Sequence, residues 1–106
     1  MKKDKNITSL YQVILSLKNE EECQKFLRDL LTEAELNEFS NRWRVAIMLD
    51  EKIPYEIITK ETSMSSTTIA RINKWLNKGM GGYKLMLKRI NTKQNKNHHH
   101  TSLGAV

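Results

Sequence analysis

Cysteine, proline, glycine and long apolar segments are all scarce in this sequence of 106 residues. The one cysteine, Cys23, excludes an internal disulfide framework and a multi-cysteine zinc site, and we interpret it as an unreactive core thiol. No segment approaches the roughly 18 consecutive apolar residues that a membrane-spanning helix requires. No apolar signal sequence follows the basic segment 1–6, so secretion is not expected. One proline and four glycines, beside abundant Leu, Ile, Lys and Glu, favour an all-helical cytoplasmic domain.

Acidic residues are scarce in the second half of the chain, and this uneven distribution is more informative than the net charge of +6. Residues 1–31 hold six basic and five acidic side chains, residues 32–53 hold three and five, and residues 54–106 hold nine and two. The excess of positive charge after residue 53 indicates an anionic partner such as nucleic acid. The alternative is a solvated basic face that only maintains solubility.

Apolar residues at spacings of three and four predict six amphipathic helices. Helix-start signals support this division, because Asn19 precedes Glu22 by three residues and Thr32 precedes Glu35 by three in a capping box. The apolar residues of the third helix, Phe39 among them, are interpreted mostly as core. The predicted helices cover about 8–17, 19–31, 32–50, 54–61, 65–77 and 83–91, with residues 1–6 a disordered arm, residues 7–91 the helical domain and residues 92–106 a disordered polar tail.

The segment of about residues 54–77 has the pattern of a helix-turn-helix, with two short helices joined by a four-residue turn. In the first helix Ile57 and Ile58 are expected to face inward. Met64 is expected to fill the turn, and Ile69 and Ile72 to hold the second helix in place. Two positions depart from the usual pattern. Thr59 stands where a small Ala is usual, and Ser63 stands where Gly normally provides a left-handed backbone, at a cost of about 1 kcal/mol.

The second helix of such a motif enters the major groove of DNA, where its N-terminal residues meet the base edges. Short hydroxyl side chains allow close approach, and Arg and Lys reach phosphates or guanine. Alternatively, Ser65 and Ser66 only cap the helix, Arg71 pairs with a carboxylate, and the motif binds protein instead of DNA. The predicted DNA-binding residues are Lys60, Ser65, Ser66, Thr67, Ala70, Arg71, Lys74 and Lys78.

Three segments of the sequence resemble the Trp repressor superfamily: Leu30-Leu31-Thr32-Glu33, Asn41-Arg42-Trp43-Arg44-Val45 and Ser65-Ser66-Thr67-Thr68-Ile69-Ala70-Arg71. Leu10-Tyr11-Gln12-Val13-Ile14-Leu15-Ser16-Leu17 and Gly82-Tyr83-Lys84-Leu85 are similar to its YerC/YecD-type branch. The resemblance covers about residues 7–90. It implies a six-helix, all-α subunit in an intertwined homodimer that binds double-stranded DNA as a transcriptional regulator, most simply as a repressor. It also implies that two reading helices face successive major grooves.

The resemblance further implies a pocket for a small-molecule corepressor, because the Trp repressor holds its amino-acid ligand between two arginines. The matching residues here are Arg42 and Arg71, with Thr32 and Thr68 at other pocket positions. Ile72 and Trp75 replace small residues of the repressor, and their bulk argues against L-tryptophan as the effector. The two arginines are then structural or phosphate-binding. Glu56 and Thr59 stand where the repressor has basic residues, which implies a different operator or weaker binding.

The sequence contains no pattern typical of an enzyme, such as a nucleophile beside a base, paired carboxylates or a phosphate-binding loop. The glycines at 79, 81 and 82 are interpreted as a hinge between helices. The run His98–His100 stands in the polar tail and is interpreted as a chance run or a tag remnant, not as a metal site. We therefore expect no catalytic residues, no metal and no bound cofactor.

Overall fold

The computed structural model describes residues 4–97, and α-helices account for most of them. Residues 4–97 contain no strand, which confirms the all-helical prediction. None of the described helices is long and apolar enough to cross a membrane. The six helices are α1 (Lys5–Leu15), α2 (Glu20–Leu30), α3 (Glu33–Asp50), α4 (Tyr55–Thr62), α5 (Ser66–Lys78) and α6 (Gly82–Asn97).

Contacts divide the chain into an N-terminal unit that ends at Leu36 and a C-terminal unit that begins at Asn37. In the N-terminal unit, neither α1 nor α2 contains a buried residue. Large apolar side chains of α1 are instead open to solvent, with Tyr11 61% and Leu15 83% exposed. Cys23 is partly buried and carries a free thiol. This unit therefore has no closed core of its own.

Two helix ends differ from the predicted positions. Helix α1 begins at Lys5 and not near residue 8, because the carboxylate of Asp4 accepts hydrogen bonds from the backbone N–H groups of Asn6 (2.8 Å) and Ile7 (3.3 Å). Helix α6 continues to Asn97, so residues 92–97 of the predicted tail are helical. The apolar pattern ends at Ile90, so the spacing of apolar residues gave no signal for these last turns. Residues 1–3 and 98–106, including the His98–His100 run, lie outside the described residues.

The capping box at the start of α3 is confirmed. The hydroxyl of Thr32 accepts from the backbone N–H of Glu35 at 3.1 Å, and the N–H of Thr32 donates to the Glu35 carboxylate at 2.9 Å. Hydrogen bonds from the backbone and then the side chain of Thr32 lower the pKa of Glu35 below its ordinary value of 4.5. The charged Glu35 carboxylate therefore stabilises this helix end fully at pH values above its ordinary pKa. That contribution is lost as the pH falls through the lowered value.

The C-terminal unit has a continuous apolar core to which four helices contribute. Ile58 on α4 and Ile69 and Ile72 on α5 are completely buried, which confirms the predicted packing of the helix-turn-helix. Met64 is half-buried and packs against this core from the turn. The buried residues of the cluster are Val45, Ala46, Ile47, Met48, Leu49, Ile58, Ile69, Ile72, Leu76 and Leu87.

Two apolar residues are not where the sequence pattern predicted them. Ile57 is 46% exposed, although it was expected to face inward beside Ile58. Adjacent residues on a helix point about 100° apart, so only one of the two faces the core. Phe39 is 49% exposed and was expected among the mostly buried residues of the third helix. The buried part of α3 begins only at Val45.

The turn between α4 and α5 has the left-handed residue that the sequence predicted. Ser63 ends α4 with φ 61° and ψ 12°, and its N–H donates to the carbonyl of Thr59 at 2.9 Å. The buried hydroxyl of Thr62 donates to the Ile58 carbonyl at 2.7 Å and accepts from the N–H of Met64 at 3.3 Å. The turn is therefore held by its own hydrogen bonds, with a serine in a conformation that favours glycine.

We expect Ser63→Gly to raise the free energy of unfolding by up to about 1 kcal/mol, because glycine adopts positive φ without a steric cost. Urea denaturation followed by circular dichroism measures the change. Ser40→Gly is the matched control, since Ser40 is exposed within α3, where glycine costs about 1 kcal/mol. A loss of stability in both variants would contradict the strain at Ser63.

Candidate nucleic-acid interface

Helix α5 has one buried side and one exposed cationic side. Ile69, Ile72 and Leu76 are buried against the core. Because an α-helix has 3.6 residues per turn, five of the predicted DNA-binding residues lie on the side of α5 opposite these three. All five side chains are exposed, and the structure brings them onto one face: Thr67, Ala70, Arg71, Lys74 and Lys78. We call this set the α5 face.

The start of α5 is capped by the hydroxyl of Ser65. This oxygen accepts from the backbone N–H of Thr68 at 3.2 Å and also donates to the Thr68 hydroxyl at 3.0 Å. The capping interpretation of Ser65 is therefore confirmed. Ser66 is the first helical residue and is exposed. The backbone N–H groups of this first turn have no partner within the helix, which makes the helix end favourable for a phosphate.

On α4, the predicted contact Lys60 is exposed in the last turn of the helix. Glu56 lies one turn before it on the same exposed side, opposite the buried Ile58. The exposed surface of α4 therefore carries both signs of charge. By contrast, Arg71, Lys74 and Lys78 of the α5 face form no ion pair among the described side chains, so the proposed pairing of Arg71 with a carboxylate is not observed there.

An ion pair that sequence reasoning missed connects α3 to the end of α4. The guanidinium of Arg44 contacts the Glu61 carboxylate at 3.1 Å and donates to the Glu61 carbonyl oxygen at 3.4 Å. Both side chains are about half exposed. Glu61 lies just before the turn, so this contact fixes where α4 ends relative to α3. The two residues are 17 apart in sequence, and no local pattern indicates such a pair.

An apolar groove of about 550 Å³ opens where α3, α5 and α6 meet. The rings of Trp43 and Tyr83 stack beside it, with centroids 6.4 Å apart and planes 12° apart. Trp75 of α5 lies at this groove with 42% of its surface exposed. Met80 is fully exposed in the turn before α6. The groove is lined by Trp43, Trp75, Gly79, Met80, Gly82, Tyr83 and Met86.

The four residues of the predicted effector pocket have different surroundings. Arg42 pairs with Glu38 at 3.0 Å and lies 5.6 Å above the ring of Phe39. A small groove of about 240 Å³ is lined by Arg42 with Phe39, Trp43 and Tyr83, and Arg71 is not part of its lining.

Arg71 is instead on the exposed α5 face. Thr68 contacts Ser65, and Thr32 caps α3 in the N-terminal unit. Within residues 4–97 no cluster of His, Cys, Asp or Glu could hold a metal ion.

Comparison with known proteins identifies the fold and the family. A family model described as Trp repressor protein matches residues 5–91. The chain belongs to the Trp repressor protein family. This is the family that the sequence segments around Thr32, Arg42 and Ser65–Arg71 predicted. Trp repressor-like proteins are helix-turn-helix regulators and not enzymes, in agreement with the prediction that this chain is not an enzyme.

Relatives of known sequence or structure cover most of the chain. The uncharacterised protein YerC of Bacillus subtilis (strain 168) is 41% identical over 86 residues, which are 81% of this chain and 83% of YerC. A candidate Trp repressor from Staphylococcus aureus has a TM-score of 0.79 at 35% identity, over 84% of this chain and 89% of that one. A TrpR-like protein from Eubacterium eligens ATCC 27750 has a TM-score of 0.81 at 38% identity, over 84% and 92%.

We expect the Arg44–Glu61 pair to stabilise the C-terminal unit of this Trp repressor-like chain by under about 1 kcal/mol, since solvent screens a half-exposed pair. Arg44→Glu and Glu61→Arg should each lower the urea midpoint, and the double exchange should restore most of it. Double-mutant analysis of the four unfolding free energies measures the coupling. The Lys25–Glu21 pair, about three-quarters exposed, is the control and should couple less. Zero coupling between Arg44 and Glu61 would contradict the role of this pair.

Proposed function

We propose that this protein is a sequence-specific, double-stranded-DNA-binding transcriptional regulator that acts in the cytoplasm, most simply as a repressor. The observation that carries the proposal is the α5 face. Apolar residues attach one side of the helix to the core, and the opposite side exposes short side chains and cations without carboxylates. A helix of this kind, held on a rigid apolar core after a tight turn, fits the major groove.

Each residue of the α5 face has a role that follows from its chemistry. Thr67 and Ala70 are short enough to bring the helix close to base edges, where methyl groups contact thymine and hydroxyls exchange hydrogen bonds. Arg71 reaches guanine or a phosphate. Lys74 and Lys78, with Lys60 on α4, contact the backbone and give affinity without sequence preference. Ser65 and Ser66 position the helix N-terminus at a phosphate.

A homodimer is the second part of the proposal. The N-terminal unit buries no residue of α1 or α2 and leaves several large apolar side chains exposed, which is costly for an isolated chain. A second copy of the chain, intertwined through these helices, provides the missing apolar partner. Two α5 helices would then face successive major grooves, about 34 Å apart along one side of the duplex. The exposed apolar side chains of the N-terminal unit are Ile7, Tyr11, Val13, Ile14, Leu15 and Leu30.

A protein-binding module without affinity for DNA is the alternative. Glu56 favours it, because a carboxylate exposed beside Lys60 repels phosphates unless it accepts from a cytosine amino group. Fluorescence anisotropy with a duplex from the gene's own upstream region, in competition with scrambled duplex and at several salt concentrations, separates the two functions. Salt-dependent binding with preference for the upstream duplex supports the regulator. Absence of duplex binding even at low salt, together with a captured protein partner, supports the module.

Substitutions on the α5 face should separate affinity from specificity. We expect Lys74→Ala to weaken binding to every duplex and to reduce the slope of log affinity against log salt by about 1.8, since each protomer of the proposed dimer loses one phosphate contact. Thr67→Ala should instead relax the preference at one base pair, at a cost of about 1–3 kcal/mol on the best sequence. Lys25→Ala in α2 is the control and should change neither. If Lys74→Ala alters neither the affinity nor the salt slope, α5 does not bind DNA as proposed.

We also propose that L-tryptophan is not the effector of this protein. The contacts of Arg42 with Glu38 and Phe39, and the bulk of Ile72 and Trp75, support this view. We expect saturating L-tryptophan to leave the duplex affinity of the wild type unchanged in the same anisotropy assay. Arg42→Ala tests whether another small molecule uses this site, because it should abolish any response to a metabolite extract. An increase in affinity with L-tryptophan that Arg42→Ala removes would refute the proposal.

A further inference from the structure

Helix α6 carries a second cationic surface that the helix-turn-helix does not include. Among the α6 side chains whose exposure the structure describes, four basic ones are exposed, and the sequence of α6 contains no acidic residue. Leu87 is buried in the core, and Tyr83 and Ile90 are half-buried on the same side. Lys88 and Arg89 lie on the side of the helix away from these three residues, and Lys84 and Lys93 lie at the two edges of that side. We call this set the α6 face: Lys84, Lys88, Arg89 and Lys93.

The two cationic faces belong to consecutive, contacting helices. Helices α5 and α6 pack against each other, and Leu76 and Leu87 belong to one buried cluster. Only residues 79–81 separate the two helices in the chain. After Glu61 the sequence contains eight basic residues and no acidic residue. A surface without any compensating carboxylate attracts a polyanion over its whole length.

The chemistry of the α6 face favours phosphates over a protein or a membrane. The shallow groove on this face is lined by Leu85, Lys88, Arg89, Thr92 and Lys93, of which only Leu85 is apolar. A protein partner needs a cluster of apolar or aromatic anchors, and insertion into a membrane surface needs a wide apolar side. The apolar side of α6 is already used in the core. Several cations around one exposed leucine fit a phosphodiester chain better than they fit a protein surface or a lipid bilayer.

The dimensions of the α6 face match a segment of duplex. Lys84 and Lys93 are nine residues apart, which is about 13 Å along a helix and half a turn around it, so they mark the two opposite edges of the face. Phosphates of one DNA strand advance by about 3.4 Å each along the duplex axis, so this length corresponds to about four of them. We propose that the α6 face is a second, sequence-independent DNA contact. The α6 face binds the phosphates outside the base pairs that α5 reads. This contact presupposes that α5 binds DNA, as in the proposed function.

The test compares duplexes of two lengths. The full-length protein is titrated with duplexes of about 20 and about 40 base pairs that share the same central sequence, since two half-sites one helical turn apart occupy about the shorter length. The α6 variant carries Lys84→Gln, Lys88→Gln, Arg89→Gln and Lys93→Gln, which retain helix propensity. The control variant carries Lys5→Gln, Lys18→Gln, Lys25→Gln and Arg28→Gln, which remove the same charge from exposed positions of the N-terminal unit.

We expect the α6 variant to lose about ten-fold or more in affinity for the longer duplex, and its salt slope to fall by about 7, since each protomer of the proposed dimer loses four phosphate contacts. Affinity for the shorter duplex and the base preference should hardly change, and the control variant should lose much less. The double variant Lys88→Gln with Arg89→Gln should show about half the change in slope, and it provides the same test if the fourfold variant does not fold.

Three results would overturn the α6 contact while leaving α5 as a DNA-binding helix. The first is an α6 variant that binds both duplexes as the wild type does while Lys74→Ala weakens both. The second is an equal loss in the control variant, which means that only net charge matters. The third comes from a parallel titration with single-stranded RNA. It is an α6 variant that loses affinity for this RNA but binds both duplexes as the wild type does, which would make RNA the partner of the α6 face. If the wild type binds no duplex at any salt concentration, the proposed function and the α6 contact are both refuted.

Discussion

The packing of the helix-turn-helix onto α3 is the interaction on which the rest of the C-terminal unit depends. Ile58, Ile69 and Ile72 are completely buried against the segment Val45–Leu49 of α3. Burying one such side chain contributes on the order of 1.5–3 kcal/mol, whereas the half-exposed Arg44–Glu61 pair adds under about 1 kcal/mol. The apolar contact therefore provides the stability. The ion pair and the hydrogen-bonded turn set the position of α4 and α5 on that core.

This attachment also determines which surface is available for a partner. Once one side of α5 is used in the core, the opposite side is exposed, and it carries Arg71, Lys74 and Lys78. The same division applies to α6, where Lys88, Arg89 and Lys93 point away from the buried Leu87. Consecutive helices thus separate apolar from cationic residues. Much of the excess of positive charge after residue 53 therefore lies on the exposed sides of α5 and α6.

Local signals in the sequence predicted much of the helical structure, and their errors have different causes at different positions. The caps at Asn19, Thr32 and Ser65 act within three residues, and each was found as predicted. The position of Ser63 in a four-residue turn likewise predicted its positive φ. Ile57 and Phe39 were misjudged because periodicity gives a helix a face but does not say what covers it. The length of α6 was underestimated because no apolar residue marks its last turns.

By itself the sequence determined the number of helices, the turn between α4 and α5, the family and the face of α5 that carries the candidate DNA contacts. All of these follow from periodicity, capping and short motifs, which act over a few residues. Only the tertiary structure decided that Arg44 holds the end of α4 and that Trp75 lines a groove. The packing of α3 with α5 and α6 places the groove, and the approach of α4 to α3 places the Arg44–Glu61 pair. Arg42, by contrast, meets neighbours on its own helix. Periodicity, caps and short motifs do not specify which distant neighbour a side chain meets, because that depends on how the helices pack together.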